Sequence, residues 1–352
     1  MTQPLRIAIN GFGRIGRLVF RLGFGDPDFQ FVVINDLGDA SNLAYLLRHD
    51  SVYRDYQKSV DLKEETQQGG KTTSSAKLVV DGKPVLFISE KDPANLPWKD
   101  LNIDLVIEST GAYESFAKAQ AHVSAGAKRV LLSAPAKDED GPMGKTVLIG
   151  VNEQELGTCA VTSNGSCTTN SAHPVIQILQ EKLGIKKAML STVHALTATQ
   201  SLVDGPTKGS DYRRGRAAPY NTTPSTTGAA IAVTRAVKDL AGKFDGMAFR
   251  VPVISGSVSS ITFVAARPTT TQEVNQILAD AAQDPRWSKV LKVSTDQLVS
   301  SDVIGQPYGA IVDSLMTKVV DGDLVTVLSW YDNEMGYTTT LVEHARKIKQ
   351  VL

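Results

Sequence analysis

The chain has 352 residues, of which 42% are hydrophobic, so it is long enough for about two domains with sizeable cores. Its 37 basic residues balance its 37 acidic ones, which argues against a polyanionic partner, and no apolar run is long enough to span a bilayer. The two cysteines, Cys159 and Cys167, exclude a disulfide framework and a cysteine-based metal cluster. The first six residues lack a signal-peptide core, so we expect a cytoplasmic protein. The balanced charge and the short apolar runs lead us to expect neither a dedicated nucleic-acid site nor a membrane partner.

The chain opens with an apolar strand at residues 6–10, followed at once by a glycine-rich turn and a helical run. The turn has the spacing G-x-G-x-x-G, with Gly11, Gly13 and Gly16, and a second strand ends at Asp36. A lone motif of this kind is weak evidence, but its position between a strand and a helix, with an acidic residue 20 positions after Gly16, is typical of a dinucleotide site. Asp36 can accept both ribose hydroxyls and would repel a 2′-phosphate, which favours NAD over NADP. The alternative is an ordinary glycine-rich turn with a solvated Asp36.

Strands alternate with helices over the rest of the first half. Strands are predicted at residues 105–108, 129–133 and 146–150, with a helix at 115–125, a hairpin at 77–88 and an exposed loop at 67–75. This alternation predicts a doubly wound, mostly parallel sheet. Its ligand should lie at the carboxyl ends of the strands, where Ser109, Thr110 and Ser133 also fall.

A polar turn with a cysteine separates a short strand, near residues 159–161, from a helix predicted over 175–183. Cys167 in this turn lies near the free N–H groups and the positive end of a helix, both of which favour the thiolate. Ser166 and Thr168 could hold an anion beside the sulfur. We therefore favour a nucleophile over a small buried cysteine. Pro174 conflicts with a helix that begins near Cys167, because it would kink it.

The second half has a different pattern. Strands are predicted at residues 187–193, 247–251, 258–265 and 324–330, and few helices separate them, which predicts a mixed or antiparallel sheet. Residues 195–220 form a long, weakly periodic loop, which indicates a functional segment or an interface. A helix is predicted at 227–240; its start at Thr227 and Gly228 fits a phosphate cradle and plain N-capping equally well. The last helix is predicted over 337–352.

Among the five histidines, no pair has the spacing of metal ligands. His122 and His344 lie on helical patterns, and we expect them at the surface. His173 is interpreted as structural. His194 ends a strand and opens the long loop, where it could stabilise a thiolate and shuttle protons. A dinucleotide site, an activated thiol and a base together predict oxidation of an aldehyde through a thioester.

The chain resembles the phosphorylating glyceraldehyde-3-phosphate dehydrogenase family over nearly its whole length, and several stretches carry this resemblance. They are residues 10–17 (NGFGRIGR), 166–170 (SCTTN), 192–200 (TVHALTATQ), 227–230 (TGAA), 247–252 (MAFRVP) and 329–334 (SWYDNE). Asp204-Gly205-Pro206 is more similar to the NAD-using cytosolic members than to the plastid enzymes that accept NADPH. The resemblance implies a Rossmann domain, residues 1–165 completed by the helix 336–352, and an α+β catalytic domain, residues 166–335.

The resemblance also implies roles for individual residues. Cys167 would be the nucleophile and His194 its base, acting on D-glyceraldehyde 3-phosphate with inorganic phosphate as the acyl acceptor. The substrate phosphate would bind Thr197 and Arg250, and the attacking phosphate would bind Ser166, Thr168, Thr227 and Gly228, with Arg213 nearby. The implied NAD contacts are Gly11, Phe12, Gly13, Arg14, Ile15, Asp36, Lys91, Ser109, Thr110, Ser133, Asn333 and Tyr337. The long loop would pack against a neighbouring subunit in a homotetramer.

Three positions depart from the family pattern. Gly165 stands where alanine is usual, and we expect it to add backbone freedom beside the nucleophile. Ser171 stands where a second cysteine is common, which should remove an internal disulfide route. Met335 replaces a frequent aromatic residue, and nothing in the sequence explains this change.

Three other functions compete. An erythrose-4-phosphate dehydrogenase is built on the same plan but tends to lose the Thr-Gly cradle that Thr227 and Gly228 keep here. A non-catalytic nucleotide-binding or RNA-binding regulator needs no reactive thiol, and the neutral charge gives nucleic acid little electrostatic support. A cysteine hydrolase would use Cys167 and His194, but the glycine-rich motif with Asp36 argues against it.

Overall fold

The computed structural model describes residues 3–64, 75–207 and 209–352, so the predicted loop at 67–75 lies outside the described residues except for Ser75. The chain forms two compact units. The first unit consists of Met1–Val147, Gln154–Asn164 and Leu341–Leu352, and the second of Leu148–Glu153 and Gly165–Thr340.

The first unit is built on a nine-stranded sheet with the order β3-β4-β5-β2-β1-β6-β7-β9-β8. Its strands are β1 (Leu5–Asn10), β2 (Phe29–Asn35), β3 (Val60–Glu64), β4 (Ser75–Val80), β5 (Lys83–Ile88), β6 (Leu105–Glu108), β7 (Arg129–Leu132), β8 (Lys145–Thr146) and β9 (Val161–Ser163). The pairs β3–β4 and β4–β5 are antiparallel and the others are parallel. The helices are α1 (Arg14–Gly23), α2 (Ala40–Arg48) and α3 (Phe116–Ser124).

The central strand β1 shows why this sheet is buried on both faces. Its residues Ile7, Ala8 and Ile9 are all almost fully buried, as expected for a parallel strand covered by helices on each side. β1 pairs with β2 on one side and with β6 on the other, so the strands that follow it in sequence extend the sheet towards opposite edges. This switch point opens a crevice at the carboxyl ends of the strands, where α/β proteins bind ligands.

The second unit is built on a seven-stranded sheet with the order β11-β12-β10-β13-β16-β15-β14. Its strands are β10 (Ile185–His194), β11 (Thr223–Thr226), β12 (Phe244–Arg250), β13 (Ser257–Ala265), β14 (Leu291–Ser294), β15 (Ala310–Val320) and β16 (Leu324–Tyr331). The pairs β10–β12 and β14–β15 are parallel and the rest are antiparallel. The helices are α4 (Cys167–Leu183), α5 (Ala229–Ala236) and α6 (Thr271–Gln283), and a last helix, α7, spans Met335–Lys349.

One face of this second sheet forms the core of the unit. Burial alternates strictly along β13, so Ile261 and Phe263 point inward. They pack with Val175, Ile176 and Leu179 of α4 in one apolar cluster. This packing fixes the first turn of α4 relative to the ends of β10 and β12, which place His194 and Arg250 beside Cys167.

The sequence-based fold class is confirmed: the first sheet is mostly parallel and doubly wound, and the second is mixed. The predicted helix at 175–183 is too short, because α4 begins at Cys167 and continues through Pro174. The predicted helix at 227–240 is too long, since α5 begins only at Ala229 and ends at Ala236. In the described part of the chain, no helix is both long and apolar enough to cross a bilayer.

Candidate active site

The first unit has a cavity of about 450 Å³ at the carboxyl ends of β1, β2 and β6. Among the predicted cofactor residues, those that line it are Gly11, Gly13, Asp36, Lys91, Ser109 and Thr110. A neighbouring cavity of about 230 Å³ shares Ser109 and Thr110 and is also lined by Ile15 and Ser133. The structure thus gathers predicted residues from five separate segments around one crevice of the first unit.

The glycine-rich turn has open space beside its backbone, so a ligand can approach the backbone N–H groups without meeting a side chain. Gly11 has φ +96°, and a Cβ there would lie 2.6 Å from the Thr110 nitrogen. A Cβ at Gly16 would lie 2.1 Å from the Gly11 oxygen, so α1 packs directly on the turn. At Gly13, by contrast, a Cβ would meet no atom within 4 Å, and no side chain caps the helix that starts at Arg14. Open space before uncapped helical N–H groups fits a pyrophosphate.

The Asp36 carboxylate is fixed at the end of β2. One oxygen accepts a hydrogen bond from the Phe12 nitrogen at 2.6 Å and the other from the Gly38 nitrogen at 2.7 Å. Each carboxylate oxygen has a second acceptor site. Asp36 therefore faces the cavity as a pre-oriented negative acceptor, which fits a ribose diol, and the residues present fit NAD.

Two predicted cofactor side chains take part in local structure. Arg14 pairs with Asp50 at 2.6 Å and lies over the Tyr53 ring, while the Phe12 ring is fully buried. Any contact these two residues make with the cofactor would therefore come mainly from their backbone.

A buried polar network that the sequence analysis missed supports the crevice from below. The Glu108 carboxylate accepts from Asn10 Nδ2 at 2.6 Å and from the Thr110 hydroxyl at 2.5 Å, and it lies 3.1 Å from His122 Nε2. Trp98 Nε1 donates to His122 Nδ1, so the proton of the neutral ring must be on Nε2. His122 is fully buried, and the expectation that it lies at the surface is wrong.

In the second unit, Cys167 is the first residue of α4. Ser166 caps the helix: its hydroxyl accepts from the Thr169 nitrogen at 3.0 Å, and the Ser166 nitrogen donates to the Thr169 hydroxyl at 3.1 Å. Gly165 precedes the cap with φ +65°, and its carbonyl accepts from the Tyr337 hydroxyl at 3.1 Å. The turn that carries the cysteine is thus held from both ends.

The thiol of Cys167 lies 3.3 Å from His194 Nε2. Burial raises the pKa of Cys167, and the Arg250 guanidinium opposes that rise; part of the residue nevertheless remains exposed. Burial, with Arg250 as the second cause, lowers the pKa of His194 to about 3. Desolvation thus opposes the thiolate of Cys167, which the helix end and Arg250 favour. A neutral imidazole at this distance can act as the base.

Two arginines meet near this pair. Arg250 Nη1 lies 2.6 Å from His194 Nδ1, and Arg214 is close enough to lower the pKa of Arg250 by repulsion, a smaller cause than burial. Arg214 also donates to the hydroxyls of Ser225 at 2.9 Å and Thr199 at 3.4 Å. The Thr199 hydroxyl lies 2.9 Å from that of Thr197. Guanidinium groups and hydroxyls in one cluster form a suitable anion site.

The other predicted phosphate residues are placed less uniformly. The Thr168 hydroxyl bonds to Tyr331 in the interior, and the Thr227 hydroxyl accepts from the Ala229 nitrogen at 3.2 Å. Gly228 occupies the N-cap position of α5 and, as a glycine, offers no side chain to cap the helix. Arg213 pairs with Asp211, whereas its neighbour Arg214, which the sequence analysis passed over, makes the contacts described above.

Tyr331 and Asn333 complete the surroundings of the pair. The Tyr331 hydroxyl lies 2.9 Å from Thr168 Oγ1 and 2.8 Å from Thr192 Oγ1, and its ring meets that of His194 edge-on at 6.0 Å. The sequence analysis did not single out Tyr331, although this residue directly follows the strand predicted at 324–330. Asn333 accepts from Gly256 N and Ser257 Oγ through Oδ1, which leaves Nδ2 oriented as a donor.

Comparison with known proteins matches both halves of the chain. Residues 5–116 match the model of the NAD binding domain of glyceraldehyde 3-phosphate dehydrogenase, and residues 166–333 match that of its C-terminal domain. The chain is 45% identical to the glyceraldehyde-3-phosphate dehydrogenase of Thermotoga maritima, over 96% of the chain and 97% of that protein. The corresponding identities are 43% for the Clostridium acetobutylicum protein, over 96% of both chains, and 42% for that of Geobacillus stearothermophilus, over 98% of both.

Proposed function

The chain belongs to the glyceraldehyde 3-phosphate dehydrogenase family, and from this membership we propose the following function and mechanism. The protein is an NAD-dependent oxidoreductase of glycolysis that acts on glyceraldehyde 3-phosphate. It converts D-glyceraldehyde 3-phosphate and inorganic phosphate to 1,3-bisphosphoglycerate. The observation that carries the mechanism is the contact of 3.3 Å between Cys167 Sγ and His194 Nε2 at the start of α4.

Acylation begins with a proton transfer. His194 Nε2 takes the proton of the Cys167 thiol, and the sulfur attacks the aldehyde carbon of the substrate. The C–S bond forms as the carbonyl electron pair moves to oxygen, and the imidazolium returns its proton to that oxygen to give a hemithioacetal. The nearby Arg250 guanidinium stabilises the thiolate while it exists, since it lowers the cysteine pKa.

Oxidation gives a thioester on the same sulfur. NAD, when bound, supplies a nicotinamide ring that accepts a hydride. His194 removes the hydroxyl proton of the hemithioacetal as the hydride leaves its carbon. Asn333 Nδ2 would hold the nicotinamide amide, and Tyr337 would lie beside the ring. Asp36, Gly11 and the other residues of the first unit named above would bind the rest of the cofactor.

Phosphate then releases the product. A phosphate oxygen attacks the thioester carbon, and the C–S electron pair returns to Cys167. The His194 imidazolium returns its proton to that sulfur, and the proton of the attacking phosphate leaves to water. Thr197 and Arg250, with Arg214 beside them, would hold the phosphate of the substrate. Ser166, Thr168, Thr227 and Gly228 would hold the attacking phosphate, with Arg213 nearby; in this assignment the backbone N–H groups at the starts of α4 and α5 are the donors.

The test follows reduced nicotinamide absorbance with purified protein, NAD and D-glyceraldehyde 3-phosphate, with and without inorganic phosphate or arsenate. We expect turnover that requires both phosphate and Cys167, so a Cys167→Ser variant should be inactive while still binding NAD. Turnover without phosphate would mean that water resolves the thioester, and the assignment of Thr227 and Gly228 would be wrong. Erythrose 4-phosphate is the comparison substrate, and it is not favoured, because the relatives above are all named glyceraldehyde-3-phosphate dehydrogenases.

The proposal includes a homotetramer. Large apolar and aromatic side chains are exposed along the long loop: Leu202 by 75%, Val203 by 71%, Tyr212 by 80% and Tyr220 by 89%. Exposure of this kind supports an interface between copies. Sedimentation velocity should give a mass about four times the 37.8 kDa of one chain, and a monomer would contradict this. We also propose a cytoplasmic location, which fractionation of cells would test.

A further inference from the structure

Four hydrogen bonds converge on the buried carboxylate of Glu108 at the end of β6. Its Oε2 atom accepts from Asn10 Nδ2 at 2.6 Å and from His122 Nε2 at 3.1 Å. Its Oε1 atom accepts from the backbone nitrogen of Thr110 at 2.8 Å and from the Thr110 hydroxyl at 2.5 Å. A carboxylate has about four acceptor positions, so Glu108 has none left for a ligand, although it lines the smaller cavity.

On the His122 side, an indole that can only donate fixes the direction of the bonds. Trp98 Nε1 lies 3.1 Å from His122 Nδ1, so Nδ1 must have the lone pair and Nε2 must have the proton. An imidazolium would place a second N–H group against the indole N–H, so this ring is neutral. His122 therefore faces Glu108 as a donor and has no other orientation of its proton available.

On the other side, a backbone segment fixes the direction. The Glu90 nitrogen donates to Asn35 Oδ1, and the Glu90 oxygen accepts from Asn35 Nδ2, each at 2.9 Å. The second N–H of Asn35 Nδ2 donates to Asn10 Oδ1 at 2.7 Å. Asn10 must therefore turn its own Nδ2 group towards Glu108. The donors on both sides of Glu108 are thus oriented by other groups, and its carboxylate is the acceptor that joins them.

The network holds together segments that line the predicted cofactor cavity of about 450 Å³. The residues of the network on that cavity wall are Asn10, Asn35, Glu90 and Thr110. β1, β2 and β6 end at Asn10, Asn35 and Glu108, so backbone pairing between these strands stops there and side chains must hold the segments in place. Tyr113, which also lines the cavity, meets the ring of His122 edge-on at 5.5 Å.

We propose that Glu108 and His122 are positioning residues for cofactor binding, which hold the walls of this cavity in the arrangement that NAD binds. A ligand binds a site in proportion to the fraction of molecules that already have the binding arrangement, so loss of the network should raise the Kd of NAD. The identity of the cofactor rests on the proposed function, whereas the network does not.

Two substitutions of His122 separate the two sides of its ring. In His122→Asn the short amide reaches only the position of Nδ1, so it can accept from Trp98 but no longer donates to Glu108. In His122→Gln the amide nitrogen reaches the position of Nε2 and keeps the bond to Glu108. Both substitutions remove the buried ring, so we expect both to lower the melting temperature by similar amounts.

Isothermal titration calorimetry with NAD measures the effect without turnover. We expect the Kd to rise about tenfold in His122→Asn and less than about threefold in His122→Gln. Glu108→Gln should raise the Kd about tenfold or more, because its amide NH₂ group faces a donor whichever way it is turned. His344→Asn is the matched control: His344 is another fully buried histidine of the first unit with polar partners, but it lines neither cavity, so its loss should leave the Kd unchanged.

Steady-state kinetics give a second measurement. In His122→Asn the KM for NAD should rise with the Kd, while kcat at saturating NAD changes by less than about twofold, because Cys167 and His194 lie in the second unit. An unchanged Kd in Glu108→Gln, or equal rises in His122→Asn and His122→Gln, overturns the proposal. Wild-type protein that binds no NAD refutes the proposed function as well, whereas wild type and variants that bind NAD equally refute the positioning role alone.

Hydrogen exchange of the cofactor-free wild type tests the proposal without any variant. Thr110 is exposed, so its amide depends on the bond to Glu108 for protection. A preformed network should slow exchange of this amide by roughly a hundredfold before NAD is added, and NAD should add little further protection. Unprotected exchange at Thr110 that becomes slow only with NAD overturns the proposal.

Discussion

Asp36 is the residue on which we expect cofactor choice to depend. In Asp36→Asn, the amide oxygen keeps one of the two bonds to Phe12 N and Gly38 N, but the charge that repels a 2′-phosphate is gone. We expect the ratio of kcat/KM for NAD to that for NADP to fall by about tenfold or more, the worth of a charged hydrogen bond. Asp39→Asn is the control, since Asp39 caps α2 and does not line the cavity. An unchanged ratio would contradict the role of Asp36.

Ser171 should direct oxidation of Cys167 away from a disulfide. Its hydroxyl is fully buried, 2.6 Å from Ser259 Oγ, at the position four residues after the nucleophile. With no thiol at position 171, peroxide should add oxygen atoms to Cys167 stepwise. Dithiothreitol should then restore the reduced thiol of Cys167 less completely as oxidation proceeds. Intact-mass spectrometry distinguishes oxygen addition from the loss of two hydrogens in a disulfide. An intramolecular Cys167 disulfide would refute this, and Cys159→Ser should leave the result unchanged.

The sequence singled out the two residues of the Cys167–His194 pair, but it did not show how deeply their side chains are buried. The turn before α4 singles out Cys167 by its polar neighbours, and the end of β10 singles out His194. Burial depends on packing from distant segments, so the raised pKa of Cys167 was missed. The same cause explains His122 and His344: both lie on helical patterns, yet both are fully buried among polar partners that a helical period does not reveal. The expected surface position of His344 is wrong.

At the scale of elements, the start of α4 depends on Gly165. Its φ of +65° lies in the left-handed region, and a Cβ would lie 2.8 Å from Thr169 Cγ2, inside the capping box with Ser166. Gly165→Ala should therefore cost about 1–3 kcal/mol and, in a chain of 352 residues, lower the melting temperature by roughly 1–4 °C. Gly157→Ala, where a Cβ meets nothing within 4 Å, is the control. An equal or higher melting temperature for Gly165→Ala would show that glycine here only loosens the turn.

The elements show where sequence periodicity succeeds and fails. Periodicity predicted the start of β10 to within two residues and placed its end correctly at His194. It also identified the hairpin of β4 and β5. Both predictions succeeded because alternation and an Asp-Gly turn are local signals. It started α4 too late, since Pro174 lacks only one helical N–H and the buried packing of the helix outweighs that loss. It did not identify α6, β14 or β15, which lie in a stretch of mixed polarity.

At the scale of the whole molecule, three buried imidazoles predict sensitivity to mild acid. Burial lowers the pKa of His173 to about 4 and those of His194 and His344 to about 3, against about 6.5 in an unfolded chain. The unfolded state binds these protons first, so the contribution is full above pH 6.5 and is lost as pH falls towards the folded values. Between pH 7.5 and 5.5 each ring should cost about 1.4 kcal/mol, roughly 4 kcal/mol together.

Guanidinium unfolding at the two pH values measures this loss. His344→Gln should remove about a third of it, while His49→Gln, at an exposed ring, should leave it unchanged. Equal stability at pH 7.5 and 5.5 would contradict the prediction.

Composition and element order were enough to predict two domains and the character of both sheets. The assignment of 1–165 with 336–352 to cofactor binding and of 166–335 to catalysis stays a prediction, as does the tetramer. Subunit contacts depend on the shape of the assembled surface, which no local pattern encodes. Arg214 illustrates the same limit within one chain, because only folding distinguishes it from Arg213.

The last helix has a consequence for how the protein is made. Leu341, Val342, Ala345 and Ile348 of α7 belong to the core of the first unit, whose main segment ends at Val147. A ribosome must add all of Gly165–Thr340 before it reaches them, which takes roughly 9–35 s at about 5–20 residues per second. During that interval the nascent first unit exposes the apolar surface that α7 later covers, so it is a natural client for a chaperone near the ribosomal exit. A stop codon after Thr340 would leave it in that state permanently.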